Sequence, residues 1–185
     1  MKITAEEILN FWFAEVGPDR WFAFDPALDE KIRVKYLVAH EAAAQGQLAE
    51  WEATPEGMLA LITLLDQFPR RMFRDSARAY ATDELALELA RVAIINHFDD
   101  RIDRAYKLIF YLPFEHSEHL GDQRLALFYI RERTKEPQWI CDAEWRMEII
   151  QCFGRFPHRN RRLGRTSTPE ETAFLQRDSS HRATA

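Results

Sequence analysis

Glycine is scarce in this chain, with 6 in 185 residues. A β-sandwich or an α/β fold of this size uses more glycine in its turns, so the count points to helices. Cysteine is nearly absent too, and the two present, Cys141 and Cys152, lie eleven positions apart in what reads as one helix. At 1.5 Å rise per residue that is about 16 Å, too far for a disulfide. Free thiols suit a reducing, cytoplasmic setting. No run approaches the ~18 apolar residues of a membrane span, and Met1-Lys2-Ile3-Thr4-Ala5-Glu6-Glu7 has no apolar signal core. Excess base is missing as well: 25 Lys and Arg stand against 30 Asp and Glu, a net charge of −5. That balance argues against general nucleic-acid binding, because affinity for phosphate backbones comes from clustered cations. A Gly-rich phosphate loop, a GxSxG elbow, a CxxC pair and an HExxH helix are all absent, and nothing calls for a cofactor or metal.

Apolar residues make up 46 % of the chain, including 5 Trp and 13 Phe, enough for a sizeable core. The length suits one domain. Helix-start signals recur along it. Thr4 and Glu7 form a capping box, Asp25-Pro26 and Thr54-Pro55 each place proline after an N-cap, and Thr168-Pro169-Glu170-Glu171 combines both devices. Ser117 reads as a further cap, and Asp99-Asp100 as the start of another helix. The pattern predicts an all-α protein of about eight helices, with one domain over residues 1–175 and a disordered polar tail over 176–185. Pro69, Pro113 and Pro157 lie 44 residues apart, each after an apolar run that reads as a helix end. Such spacing is typical of stacked repeats, so antiparallel hairpins in a short right-handed tetratricopeptide-like solenoid are expected.

If the hairpins stack, the three proline corners meet along one edge. Five arginines and a histidine crowd Arg155 to Arg165 with no acid among them. Guanidinium forks bind carboxylate or phosphate bidentately, and the same arginines can instead pair with acids of the other corners. Glu115-His116-Ser117-Glu118-His119 supplies carboxylates and imidazoles, on one helical face if the helix continues. Asp66, near an apolar helix end, needs a compensating cation. Ser117, His158 and Asp66 could be drawn as a triad, on weak grounds.

At these corners the chain resembles the bacterial domain-of-unknown-function family 924. The matching stretches are Leu64-Leu65-Asp66-Gln67-Phe68-Pro69-Arg70, Tyr111 to Glu118, Phe153 to Asn160, Leu163-Gly164-Arg165 and Ser167 to Glu171, together with Phe11-Trp12-Phe13 and Arg20-Trp21-Phe22. Arg71, Phe114 and His119 stand where the family pattern usually has asparagine, leucine and aspartate. The resemblance implies a tetratricopeptide-like helical fold and carries no established reaction.

The residues expected to bind a small anion or a peptide carboxylate are Asp66, Gln67, Arg70, Glu115, His116, Glu118, Arg155, His158, Arg159, Asn160 and Arg165. Arg70, Arg155, Arg159 and Arg165 would be the anion donors, with Glu115 brought against Arg70 and Arg159. One alternative is a hydrolase using Glu115 or Glu118 with His116 or His158. Another is an interaction scaffold that presents aromatic residues among Trp12, Trp21, Trp51 and Trp139.

Overall fold

The helix starts form where the capping residues stand. Thr4 Oγ1 accepts the Glu7 N–H at 3.2 Å while Glu7 Oε2 accepts the Thr4 N–H at 3.0 Å, opening α1 (Ala5–Leu9). A π-helical stretch, Asn10–Val16, prolongs α1 up to Gly17. Asp25 caps α2 (Pro26–Ala44), and Thr54 caps α3 (Pro55–Ile62). In each case the side-chain oxygen takes one of the N–H groups that a helix start leaves unpaired. The computed structural model describes residues 3–182.

Pro69 and Pro113 do not end helices. The backbone runs from α3 through a π-helical stretch, Thr63–Gln67, into α4 (Phe68–Met72). There the Phe68 N–H reaches back to Thr63 O, the wider spacing of a π turn. Pro69 has no N–H to give to Leu65 or Leu64, and side chains serve those carbonyls instead. Thr82 Oγ1 donates to Leu65 O at 2.5 Å, and His40 Nδ1 lies 3.0 Å from Leu64 O. Pro113 sits inside α6 (Leu108–His116), where every residue from Leu108 to Glu115 is buried. A mid-helix proline costs about 3 kcal/mol, and each buried large apolar side chain stabilises by about 1.5–3 kcal/mol, so burial outweighs the proline. Only the third proline stands at a corner. Gly154, at φ 66°, closes α8 (Pro137–Phe153), and a 3-10 turn, Pro157–Arg159, follows. The even spacing therefore does not mark three equivalent corners.

The helices stack as antiparallel hairpins. The α3–α4 rod packs on α5 (Asp83–Ile95), α5 on α6, α6 on α7 (Leu120–Tyr129, prolonged by Ile130–Thr134), and α7 on α8. Alternate members, α6 and α8, therefore run the same way. α1 lies against α3, and α2 against α4. Among the described residues there are eight continuous helical stretches and no strand. No helix among them is long and apolar enough to cross a membrane.

Helix α9 spans Pro169–Arg182, and residues 183–185 of the polar tail lie outside the described residues. Two local expectations fail. The stretch after Asp99 forms 3-10 turns at Asp99–Arg101 and Arg104–Tyr106, because Asp99 is buried against Tyr111 Oη (2.6 Å) and Arg133. Ser117 is not the cap of α7: its hydroxyl donates to Asp122 at 2.7 Å, and the helix opens at Leu120.

Aromatic rings hold the core. Phe11 meets Tyr36 at 4.9 Å between centroids, Tyr36 meets Phe68 at 5.0 Å, and Trp12 meets Phe68 at 5.4 Å. Trp12 and Trp21 are thus core residues rather than presented aromatics, and Trp51 and Trp139 are half-buried. Cys141 and Cys152, both on α8, are free and exposed.

Candidate functional site

The acid between the first and third proline segments is Asp83, not Glu115. Asp83 stands in the first turn of α5, where the helix dipole favours a carboxylate. Arg70 Nη1 and Nη2 grip its two oxygens at 2.9 Å each. Arg159 Nη1 reaches Asp83 Oδ2 at 3.4 Å from the other side. The Arg159 guanidinium also lies over Tyr80 (4.7 Å) and Phe156 (4.5 Å). This side chain is only 8 % exposed, and its Nε has no hydrogen-bond partner. Burial and the nearby Arg70 charge lower its pKa to about 10, against the pull of Asp83. Burial raises the Asp83 carboxyl, with the two arginines opposing.

From the second proline segment His116, rather than Glu115, joins this group. Its Nδ1 lies 2.7 Å from Asp66 Oδ1. Asp66 is fully buried, and Arg70 Nη1 is 3.2 Å away. Burial opposes its ionisation, yet Arg70 and His116 outweigh that and hold the carboxyl at about 2. Burial and Arg70 keep His116 neutral, at about 3, despite Asp66. Gln67 Nε2 also donates to Asp66. The ionised aspartate with the neutral ring fixes Nδ1–H as donor.

Glu115 points elsewhere. Arg146 Nη1, from α8, is 2.8 Å from Glu115 Oε2, yet that oxygen makes no aligned hydrogen bond, so the contact is a charge pair and little more. Burial dominates and raises the Glu115 pKa to about 7 against Arg146, helped by Asp142 and Asp66. Glu118, Arg155, Asn160 and Arg165 form a clasp instead of a binding surface. Arg165 forks onto Glu118 at 2.6 and 2.9 Å, and Glu118 also takes the Phe156 N–H at 2.8 Å. Arg155 forks onto Glu171 at 2.6 and 2.8 Å, and Asn160 Nδ2 reaches the same carboxylate at 3.1 Å. Glu171 completes the capping box of α9 with Thr168. These donors pair with internal acids. His119 is exposed and apart from the rest, because the helix stops at His116. The drawn triad does not form: Asp66 pairs with His116, and Ser117 with Asp122.

Arg70, His116, His158 and Arg159 line one cavity of about 240 Å³, joined by Arg74, Arg146, Arg162 and Tyr80. No carboxylate lines it. Asp66, Asp83 and Asp29 hold the guanidiniums from behind; Arg74, for example, forks onto Asp29 at 2.9 and 3.1 Å. A second space of about 170 Å³ adds Gln67 and Phe22, and a third of about 360 Å³ is lined by Glu115, Trp139 and Leu112; Arg146 borders all three. Sequence reasoning missed Asp83, Arg74, Tyr80, Arg146 and Arg162 at this site. Thr82 reads in the sequence as one possible start of α5, and the acid just inside that start, Asp83, was the available signal. Arg146 carries no such mark, since a lone arginine in a mixed helix has no distinguishing neighbours.

The fold and cleft define an all-helical hairpin protein with a guanidinium-lined cavity at one edge. The profile of the bacterial family of proteins of unknown function DUF924 matches residues 8–179. The chain belongs to that family. Its structure is similar to that of a protein of unknown function, ATU0120, from Agrobacterium tumefaciens, at 40 % identity and a TM-score of 0.89, over 94 % of this chain and 97 % of that one. No curated protein matches.

Proposed function

We propose that the protein binds a small oxyanion in the arginine cavity. One observation carries the reading: five guanidiniums and no carboxylate line a space of about 240 Å³. Guanidinium forks suit phosphate or carboxylate, and aromatic rings beneath Arg159 hold its plane in place.

Thermal unfolding in rising inorganic phosphate and acetate tests this reading. An anion at one hundred times its Kd stabilises by about 2.7 kcal/mol, which for this size raises Tm by roughly 5–10 °C. Arg159→Ala removes the effect. Absence of stabilisation by either anion at constant ionic strength contradicts the proposal.

Hydrolysis is the second reading, favoured by the Asp66–His116 pair, whose geometry suits a general base. The same burial and Arg70 charge that keep His116 neutral lower its basicity to about 3, far below what proton abstraction at neutral pH needs. His116 is therefore a poor general base, and binding ranks first.

A further inference from the structure

Beside the arginine cavity, and sharing Arg146 with it, lies a groove of about 360 Å³ with a different lining. Its floor is two helices that run the same way, α6 and α8. On α6, Leu108, Leu112 and Glu115 line the large cavity at spacings of four and three, the period of one helix face, and His116 follows at the arginine end. On α8, Trp139, Asp142 and Arg146 follow at spacings of three and four, again one helix face. Each helix thus presents an apolar residue at its N-terminal part and a cationic or imidazole group seven or eight positions later. The two gradients are in register, with Leu108 and Trp139 at one end and His116 and Arg146 at the other. Phe22 borders the groove as well and stays 59 % exposed, its ring edge-on to Trp21 at 6.4 Å. It is held there. Arg71, buried at 5 % exposure, donates to Ala23 O at 2.7 Å and to Trp21 O at 2.9 Å, and pins the loop that carries Phe22.

We propose that the ligand is a phosphate monoester with an uncharged apolar arm, its head in the arginine cavity and its arm along α6 and α8 against Trp139 and Phe22. This rests on the oxyanion reading above. The head is assigned a double charge because five guanidiniums and no carboxylate line its cavity. The arm is apolar because Leu108, Leu112, Trp139 and Phe22 border its path, and Asp142 disfavours a second anionic group there. Its length follows from Arg146 and Trp139, seven residues apart on one helix, or about 10 Å.

Isothermal titration at fixed ionic strength with inorganic phosphate, 4-phenylbutyl phosphate and 5-phenylpentanoate tests the assignment. The arylalkyl phosphate is expected to bind about tenfold or more tighter than inorganic phosphate, from apolar burial along the groove. The carboxylate is expected to bind about tenfold or more weaker than the arylalkyl phosphate. Trp139→Ala abolishes the gain from the arm and leaves the affinity for inorganic phosphate unchanged. Phe22→Ala, at an exposed position that the fold does not need, reduces the same gain. A gain below tenfold, a carboxylate that binds as tightly as the phosphate, or a gain untouched by both substitutions overturns the ligand assignment while phosphate binding keeps the anion site. Failure of every anion to bind removes the oxyanion reading, and this one with it.

Discussion

Glu115 is the group whose replacement tests the electrostatics of the cleft most directly. The change is Glu115→Gln, which keeps the shape and removes the charge. The native carboxyl is 1 % exposed, and burial raises its pKa from 4.5 to about 7. Below pH 4.5 it is protonated in both the folded and the unfolded chain and contributes no pH dependence. As pH rises past 4.5 the unfolded chain ionises freely, while the folded chain holds its proton until about pH 7. Native stability therefore falls through that window and levels off above it. At about 1.4 kcal/mol per pH unit, the gap corresponds to about 3 kcal/mol. Glutamine has no such titration, so the variant matches the native protein near pH 4.5 and exceeds it by about 3 kcal/mol at pH 8. Urea unfolding of both proteins at pH 4.5, 6, 7 and 8 measures the difference, and other titrating groups cancel between them. A difference that stays flat with pH, or a variant less stable than the native protein at pH 8, refutes the reasoning. It would mean that Arg146 already holds Glu115 ionised.

Asp83→Asn leaves Arg70 and Arg159 facing each other without their shared acid, and is expected to cost about 3 kcal/mol in urea unfolding; a loss under about 1 kcal/mol would show that the pair is not held by Asp83. Two glycines separate backbone strain from steric clash. Gly154→Ala places a side chain at φ 66° in open space and costs about 1 kcal/mol, whereas Gly57→Ala puts a Cβ 2.1 Å from Trp51 O and costs roughly 3 kcal/mol or more. Equal thermal shifts for the two would contradict that distinction.

The helix starts were legible because a cap is a local device: Thr4, Asp25, Thr54 and Thr168 satisfy N–H groups two or three residues away, so the sequence alone identifies them. Pro69 and Pro113 were misread for the complementary reason. Whether a proline breaks a helix depends on who takes the carbonyls it leaves and how much apolar surface its neighbours bury. His40, Thr82 and the buried face of α6 answer from elsewhere in the chain.

The charged segments show the same division. Composition and spacing alone determined that the protein is helical, that its arginines cluster near the third proline and that Asp66 needs a cation beside it. Only the tertiary structure decided which of those arginines are committed and which line a cavity. Arg155 and Arg165 found Glu171 and Glu118 and closed into a clasp, while Arg70 and Arg159 share Asp83 from one side and border open space on the other. Charge pairing acts over a few ångströms in space, and Asp83 lies 76 positions before Arg159, so no local pattern could assign that partner.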